Sequence, residues 1–331
     1  MNALFRVMLF STAASALTLL STTLLPAAHA ENAEKPTSGA YIVMDHHSGH
    51  VLAEWNADKK LPVASLTKII TATVVLDWAH ASGQSLDQLA MVPPFPKELL
   101  NASGIAWKDG DKASLKDLLY CALLQSDNVA AQTLAEFVGQ ALSGGSDREL
   151  HNVSFVSQMN AFATKLGMTN TRFLNAHGLD SLESKRPYSC AEDIAKASVY
   201  AMSNPGFLFF VSQKERAVTV QHFDGGKLDY KLVNTNRLLG ISSIDGVKTG
   251  TTKRAGECVV ISAARSPDVR KDGETFFAIP RRLEVVVLNS QNRFDEAQSL
   301  LQKGWAAHDA WVAAGRPETP RPERKKTIFG F

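Results

Sequence analysis

Ser65 and Lys68 are the residues whose types and spacing most directly suggest chemistry. They begin and end the stretch Ser65-Leu-Thr-Lys68, and side chains three residues apart lie on the same face of a helix. On such a face a hydroxyl and an amine can share a proton, and this pairing makes an activated nucleophile. The spacing therefore predicts that Ser65 is a nucleophile and that Lys68, in its neutral form, is the base.

Two further short motifs follow in a fixed order along the chain, Ser126-Asp127-Asn128 and Lys248-Thr249-Gly250. Ser-x-x-Lys and Lys-Thr-Gly each occur once, whereas Ser-x-Asn recurs at Ser290-Gln-Asn292. Apolar helical runs on both sides of Ser126 favour it over Ser290. Acyl transfer needs a nucleophile, a base, an oxyanion site and a substrate anchor, so the three motifs together predict one such site.

The first 30 residues have the pattern of a cleaved secretory signal. Arg6 is their one charged side chain, an apolar stretch covers 7–25, and Ala28-His-Ala30 precedes a polar segment. Ser and Thr within the apolar stretch favour cleavage near Ala30 over an uncleaved membrane anchor. The prediction is an exported protein of the periplasm or cell envelope. Its net charge of +2, or +1 once Arg6 is removed, argues against nucleic acid as a partner.

The cysteines and histidines do not predict a metal site or a disulfide framework. Three cysteines leave at least one unpaired, and Cys121 and Cys258 lie in apolar runs typical of small buried hydrophobic residues. The histidine-rich segment 45–50 has the Asp, Ser and Gly of a solvated hairpin turn rather than zinc-ligand spacing. We predict no metal and no cofactor, and we assign no function to His177 or Cys190.

Strand patterns lie near both ends of the chain and helical patterns lie between them. The predicted strands are 41–44, 51–55, 217–222, 231–233, 246–251, 257–264 and 283–290. The predicted helices are 66–80, 114–124, 129–138, 153–166, 191–202 and 294–314. The simplest packing is an α/β fold in which one antiparallel sheet, built from both chain ends, is flanked by helices.

This packing gives a domain organisation with the candidate site in the crevice between sheet and helices. We expect a catalytic domain at 31–312, with a helical insert at about 65–215, and a disordered basic tail at 313–331. The β-hairpin-like connection 265–282, with its mixed charges and two prolines, is expected to be an insertion between two strands and not part of the catalytic machinery. The tail lacks an amphipathic helix, so we predict no stable membrane anchor.

The chain resembles the low-molecular-mass penicillin-binding proteins of the D-alanyl-D-alanine carboxypeptidase family. The resemblance runs from about residue 40 to residue 305 and extends beyond the three motifs. The further matching blocks are Ala64-Ser-Leu-Thr-Lys-Ile-Ile-Thr71, Phe173-Leu-Asn175 with Gly178-Leu179, Asn234-Thr-Asn-Arg-Leu238, and Asp245-Gly-Val-Lys-Thr-Gly250 with Ala255-Gly256. It implies a β-lactamase/DD-peptidase-like fold with a helical subdomain. It also implies cleavage of peptidoglycan pentapeptides ending in D-Ala-D-Ala, acylation by β-lactam antibiotics, and a role in peptidoglycan biosynthesis and cell shape.

The resemblance also implies a role for each site residue. Ser65 forms the acyl-enzyme and Lys68 takes its proton, Ser126 relays a proton to the leaving amine, and Asn128 binds the substrate amide and orients Lys68. Lys248 is a compact cation suited to the terminal carboxylate, and Thr249 and Gly250 let the substrate approach the strand. The implied oxyanion hole consists of the backbone N–H groups of Ser65 and Thr251. Arg293 matches a family arginine near the substrate carboxylate.

Three other functions are weighed against the carboxypeptidase. A D,D-endopeptidase that cuts peptidoglycan cross-links would use the same residues. A class A β-lactamase needs a carboxylate in a loop after the second motif, and the corresponding stretch 166–175 contains no acidic residue. A non-catalytic protein that only recognises D-Ala-D-Ala is disfavoured, because every nucleophile and base position is filled.

Overall fold

The computed structural model describes residues 36–100, 103–180, 186–272 and 275–317. The predicted signal segment and most of the predicted tail lie outside these residues. The described strands are β1 (Ala40–Asp45), β2 (Val51–Trp55), β3 (Leu89–Met91), β4 (Lys112–Ser114), β5 (Glu215–Gln221), β6 (Lys227–Val233), β7 (Ile244–Thr252), β8 (Gly256–Asp272) and β9 (Thr275–Ser290). The described α-helices are α1 (Thr67–Ser82), α2 (Leu115–Leu124), α3 (Asn128–Ser143), α4 (Arg148–Lys165), α5 (Ala191–Met202), α6 (Pro205–Val211) and α7 (Arg293–Ala313).

The helix boundaries follow from capping residues in the sequence. The Ser114 side chain accepts a hydrogen bond from the Asp117 N–H at the start of α2, and the Asp127 side chain accepts one from the Ala130 N–H at the start of α3. Each satisfies a backbone donor that the first helical turn leaves unpaired. At the other end of α3, Gly144 adopts the left-handed conformation that commonly ends a helix. Local chemistry therefore sets the start of α3 immediately after Asp127, the middle residue of the second motif.

The central five-stranded sheet has the order β2-β1-β9-β8-β7 and is antiparallel throughout. Its N-terminal strand β1 pairs with its C-terminal strand β9, with Ile42 opposite Val286. The predicted fold class, an antiparallel sheet built from both chain ends and flanked by helices, is therefore confirmed. The strand β7, which carries Lys-Thr-Gly, lies at one edge of the sheet.

Helices cover both faces of this sheet. On one face, Val43 and Leu283 pack against Leu301 and Trp305 of α7. On the opposite face the buried strand residues belong to the large core that α1, α2, α3 and α5 complete. Every side chain of β9 from 283 to 288 is buried. This explains the unbroken apolar run at 285–288, since a strand covered on both faces does not alternate.

A second sheet was not predicted. It has four strands in the order β3-β4-β5-β6, so the predicted strands 217–222 and 231–233 pair with each other and with β4 instead of joining the central sheet. The strands β3 and β4 have only three residues each. Strands that short carry too little alternation to be recognised in a sequence dominated by helical patterns.

The connection 265–282 is a β-hairpin, in agreement with the expected hairpin-like insertion, and its backbone continues the two strands. Cross-strand pairing of β8 with β9 extends from Glu257 with Ser290 as far as Asp272 with Thr275, with shifts of register on the way. Beyond Ala264 the two strands form a ribbon of their own. An ion pair between Arg281 and Asp309 connects the base of this ribbon to α7.

Candidate active site

Ser65 lies in a 3-10 turn, Ala64–Leu66, that leads directly into α1. Ala64 has a φ of +49°, a left-handed backbone that costs free energy in a residue with a Cβ and that recurs at functional sites. The Ser65 side chain is almost fully buried and the Lys68 side chain is fully buried. Lys68 Nζ lies 3.0 Å from Ser65 Oγ, so the predicted pair is in contact.

Two other acceptors complete the surroundings of Lys68. Its Nζ donates to Asn128 Oδ1 at 2.7 Å and to the backbone carbonyl of His177 at 2.6 Å. A neutral amine has two N–H bonds and one lone pair, so with both protons directed at these oxygens the lone pair faces Ser65 Oγ. Burial lowers the pKa of Lys68 to about 7, and the nearby Asp127 carboxylate opposes this shift. Near neutral pH a large fraction of Lys68 is therefore in the form that can accept the Ser65 proton.

Asp127 holds the second motif in place. Besides capping α3, its carboxylate accepts hydrogen bonds from Ser103 Oγ and from Trp107 Nε1, the latter at 3.0 Å. Asn128 is the first residue of α3 and is buried. Ser126, in the loop that joins α2 to α3, has a φ of +62°. The strained backbone of Ser126 is held in place by Asp127 and Asn128, which follow it and are fixed by their own hydrogen bonds.

Lys248, Thr249 and Gly250 lie on β7, which packs against the turn that carries Ser65. A Cβ placed on Gly250 would lie 3.0 Å from Ser65 N, so only glycine lets the strand approach this closely. Lys248 is buried, and its Nζ donates to the Thr249 carbonyl at 3.0 Å. Burial lowers the pKa of Lys248 well below its ordinary value, and the neighbouring Lys68 and Arg293 charges lower it further.

Thr251 and Arg293 lie at the far end of β7. Arg293 Nη1 donates to the Gly250 carbonyl at 3.0 Å and to Thr251 Oγ1 at 2.6 Å. Partial burial is the main cause that lowers the pKa of this guanidinium. The structure thus brings the Ser65 and Lys68 pair together with Asn128 on one side and with the residues of β7 on the other. Ser126 joins them through its direct chain neighbours Asp127 and Asn128.

Two residues that sequence reasoning left without a role also contribute to this site. The His177 carbonyl binds Lys68, and burial together with the Lys68 charge lowers the pKa of the His177 imidazole to about 3. Thr235 Oγ1 lies 2.7 Å from Thr249 Oγ1 and donates to the Leu124 carbonyl at 3.1 Å. The matching blocks around Asn175 and Asn236 were the available signal, but a backbone carbonyl has no side-chain signature that a motif could reveal.

The histidine-rich segment and the three cysteines are the remaining residues whose types could do chemistry. The predicted solvated turn is present between β1 and β2, with His47, Ser48 and Gly49 exposed. His46 differs from the prediction because it is buried, with its Nδ1 2.9 Å from Glu284 Oε1. The three cysteines are buried and unpaired, and burial raises the pKa of Cys190 to about 12 and that of Cys258 to about 11. In the described part of the chain, no three His, Cys, Asp or Glu side chains are grouped as metal ligands. Nor does any described helix combine the length and the apolar character needed to cross a membrane.

Comparison with known proteins gives one consistent family. The profile of the D-alanyl-D-alanine carboxypeptidase family matches residues 27–270. The D-alanyl-D-alanine carboxypeptidase DacC of Escherichia coli K12 is 35% identical over 279 residues, which are 80% of this chain and 60% of DacC. A D-alanyl-D-alanine endopeptidase of Pseudomonas aeruginosa is 33% identical over 234 residues, which are 70% of this chain and 69% of that protein. The chain therefore spans less than two thirds of the length of DacC.

Solved structures agree with this comparison. The crystal structure of the Streptomyces K15 DD-transpeptidase superimposes with a TM-score of 0.69 at 29% sequence identity. The match covers 82% of this chain and 98% of the transpeptidase. The sheet, the helices against it and the crevice between them therefore belong to a fold that is already known in enzymes of this type.

Proposed function

Because the chain belongs to the D-alanyl-D-alanine carboxypeptidase family, we propose that it is a serine peptidase that removes the terminal D-Ala from peptidoglycan pentapeptides. The observation that carries the proposal is the environment of Lys68. A buried amine with a pKa of about 7, two of whose protons are bound by Asn128 and His177, directs its lone pair at Ser65 Oγ. This arrangement suits a general base for a serine nucleophile.

The proposed reaction proceeds through a Ser65 acyl-enzyme. Lys68 takes the Ser65 proton as Oγ attacks the carbonyl carbon of the penultimate D-Ala, and the carbonyl oxygen becomes an oxyanion bound by the N–H groups of Ser65 and Thr251. Collapse of the intermediate breaks the C–N bond, and the Lys68 proton passes through Ser126 to the departing amine. Water then attacks the ester by the reverse of these steps and regenerates the Ser65 hydroxyl.

Substrate anchoring is proposed for the end of β7. The leaving D-Ala carries a carboxylate, whose charge favours the protonated form of the buried Lys248. Lys248, Thr249 and Arg293 then supply a cation, a hydroxyl and a guanidinium on one side of Ser65. A β-lactam presents a strained amide and a carboxylate in a similar arrangement, so we expect penicillin to acylate Ser65. Peptidoglycan lies outside the cytoplasmic membrane, which agrees with the expected export to the periplasm or cell envelope after cleavage near Ala30.

A D,D-endopeptidase that cuts cross-links is the second candidate. The P. aeruginosa relative that bears this name supports it, and the same acyl-enzyme chemistry would serve. A class A β-lactamase is disfavoured because 166–175 contains no acidic residue to activate a deacylating water.

The proposal is tested with a fluorescent penicillin and with purified muropeptides. We expect covalent labelling of the parent protein on the peptide that contains Ser65, no labelling of Ser65→Ala, and release of D-Ala from pentapeptides. Labelling that persists in Ser65→Ala, or an adduct on another peptide, would contradict the assignment. Cutting of cross-linked dimers without release of free D-Ala would favour the endopeptidase.

A further inference from the structure

An open cavity lies between α1, α3 and α4. Its volume is about 410 Å³, which is within the roughly 300–1,000 Å³ of small-molecule sites in proteins. Its residues on α1 belong to the second half of that helix, and Trp78 lies about 15 Å along the axis from Lys68. Asp77 follows Lys68 by about two and a half helical turns, so the two side chains project from opposite sides of α1. The cavity is therefore separate from the candidate active site.

One part of the cavity lining is apolar and rigid. Trp78 of α1 is partly buried and packs edge-to-face against Phe137, with ring centroids 6.0 Å apart. Phe162 of α4 is buried and packs in the same way against Tyr200, with centroids 5.0 Å apart. The exposed Leu142 of α3 completes this part of the lining. Because the two rings are already held in place, a ligand that packs on them pays little for ordering them.

The polar groups of the lining are largely free to bind a ligand. Within the part of the chain that the structure describes, the Gln158 amide, the Lys165 amine and the Trp78 indole N–H form no hydrogen bond or ion pair. One carboxylate oxygen of Asp77 accepts a hydrogen bond from the Tyr200 hydroxyl at 2.9 Å. Asp77 and Lys165 have opposite charges, so the lining offers donors and acceptors but no net charge.

A sugar ring matches this combination of groups. Its C–H faces are apolar and pack on aromatic rings, whose faces are electron-rich, while its hydroxyls both donate and accept hydrogen bonds. An N-acetyl group adds a methyl for the apolar part and an N–H for a carboxylate. A phosphate would instead be repelled by Asp77, and a purely apolar segment would leave the polar groups of the lining without partners.

We propose that this cavity binds an N-acetylated sugar unit of the peptidoglycan glycan strand. The rings of Trp78 and Phe162 pack against the sugar, and Asp77 accepts a hydrogen bond from its acetamido N–H. Gln158 and Lys165 bond its hydroxyls. The inference rests on the proposed function, which makes the cell wall the partner of this protein. It adds a second point of contact with the wall polymer, on the far side of α1 from the bond that is cut.

Triacetylchitotriose, a short chain of N-acetylated sugars without any peptide, is the probe that tests the cavity. The indole N–H signals of the protein are followed by NMR, and the Trp78 signal is identified by its absence in Trp78→Phe. We expect this signal to shift saturably as the sugar is added. The signal of Trp107, whose Nε1 donates to Asp127 of the second motif, should not move. No saturable shift of the Trp78 signal, or a shift of the Trp107 signal alone, overturns the proposal.

Variants of exposed lining residues assign the binding to the cavity. Gln158→Ala and Lys165→Ala should each raise the Kd for triacetylchitotriose about threefold or more, since each removes a hydrogen-bonding group. Gln302→Ala and Lys303→Ala remove the same groups from exposed positions of α7 and should leave the Kd unchanged. Binding that neither lining variant weakens overturns the proposal. A stem tripeptide, L-Ala-D-Glu-L-Lys, that shifts the Trp78 signal at lower concentration than the sugar would assign the cavity to peptide and would also overturn it.

Turnover of two substrates connects the cavity to the wall polymer. With insoluble sacculi that contain pentapeptides, Gln158→Ala should raise KM about threefold or more and leave kcat unchanged. With a soluble pentapeptide, which has no glycan, both parameters should match those of the parent. A parental KM for sacculi in Gln158→Ala overturns the proposed contact with the polymer.

Penicillin acylation separates this inference from the proposed function. If the parent is acylated on Ser65 and triacetylchitotriose does not shift the Trp78 signal, the proposed function stands and the role of the cavity is wrong. If the sugar shifts the Trp78 signal and Ser65 is not acylated, the proposed function is wrong and the cavity keeps its ligand.

Discussion

At the scale of single residues, the proposed chemistry depends on keeping the buried Lys68 neutral. Moving the pKa of Lys68 from 10.5 to about 7 corresponds to roughly 5 kcal/mol of free energy that disfavours the cation. Burial supplies this free energy. The amine is then oriented by two uncharged oxygen acceptors, whereas a carboxylate in their place would keep Lys68 protonated. The same residue types on an exposed helix would give a charged lysine and an ordinary serine.

Acylation of Ser65 should therefore depend on pH through Lys68. Because the neutral amine is the proposed active form and the folded-state pKa is about 7, the rate of penicillin acylation should rise between about pH 6 and pH 8, with a midpoint near 7. Lys68→Arg should lose roughly 100-fold or more at every pH, since a guanidinium stays protonated. Stopped-flow acylation with a chromogenic cephalosporin measures both. Near-parent rates in Lys68→Arg would mean that the positive charge matters and the proton transfer does not.

Gly178 is a second residue whose change should reach Lys68, because it lets the His177 carbonyl approach. Gly178 has a φ of +83°, and a Cβ on it would lie 2.0 Å from the Ala64 carbonyl oxygen. Gly178→Ala should push this loop away from α1 and remove an acceptor of Lys68, so we expect penicillin acylation to fall about tenfold or more.

Gly167→Ala is the matched control for that substitution. Gly167 also has a positive φ, of +66°, but nothing lies within 4 Å of a Cβ placed there. Both variants should lose a similar backbone contribution to stability, roughly 1 kcal/mol, and only Gly178→Ala should lose acylation beyond twofold. Equal acylation rates in the two variants would show that the His177 carbonyl does not position Lys68.

At the scale of elements, the site is the meeting of three chain segments. The turn before α1 carries Ser65, the proposed nucleophile, the loop between α2 and α3 carries the second motif, and β7 carries the third. Thr235 connects the last two, because its backbone N–H and its hydroxyl both donate to the Leu124 carbonyl at the end of α2 while its Oγ1 contacts Thr249 of β7. The width of the crevice therefore depends in part on one hydroxyl.

Thr235→Val should lower the rate of penicillin acylation by roughly tenfold with little change in thermal stability. The substitution keeps the side-chain shape but removes the hydroxyl that links α2 to β7, and one neutral hydrogen bond contributes only about 1 kcal/mol to folding. Thr235→Ser should restore most of the rate. Thr219→Val removes an exposed hydroxyl that bonds Asp229 and serves as the control. A Thr235→Val protein with the parental rate would rule out this role for the hydroxyl.

Much of this arrangement could be predicted from the sequence, because motifs and caps are signals carried by side chains. Ser65 with Lys68 and the start of α3 after Asp127 follow from local spacing. The His177 carbonyl, the strand β3 and the burial of His46 could not be predicted in the same way. The first is a backbone group, the second has three residues, and the third depends on Glu284, which is 238 positions away in the sequence.

At the scale of the whole molecule, the two chain ends are joined by the pairing of β1 with β9, and a buried polar network lies where they meet. Glu284 of β9 is fully buried. Its carboxylate accepts hydrogen bonds from Ser198 of α5 at 2.6 Å and from Ser262 of β8 at 2.7 Å, and it contacts His46 just after β1. One carboxylate thus links three segments that are far apart in the chain, and none of its partners belongs to the candidate site.

Glu284→Gln should therefore reduce the free energy of unfolding and leave the chemistry intact. The amide replaces one acceptor oxygen with an NH₂ group, which faces hydroxyls that themselves donate hydrogen bonds. Because the charge-assisted hydrogen bonds of a buried carboxylate are also lost, we expect the free energy of unfolding to fall by roughly 3 kcal/mol. Glu215→Gln, which breaks the exposed pair with Lys231, should cost less than about 0.5 kcal/mol. Urea unfolding measures both, and penicillin acylation of the folded Glu284→Gln protein should stay within a few-fold of the parent. If Glu284→Gln loses no more unfolding free energy than Glu215→Gln, solvent or structural relaxation satisfies the buried network. If the Glu284→Gln protein folds but is no longer acylated, the junction of the chain ends also shapes the crevice.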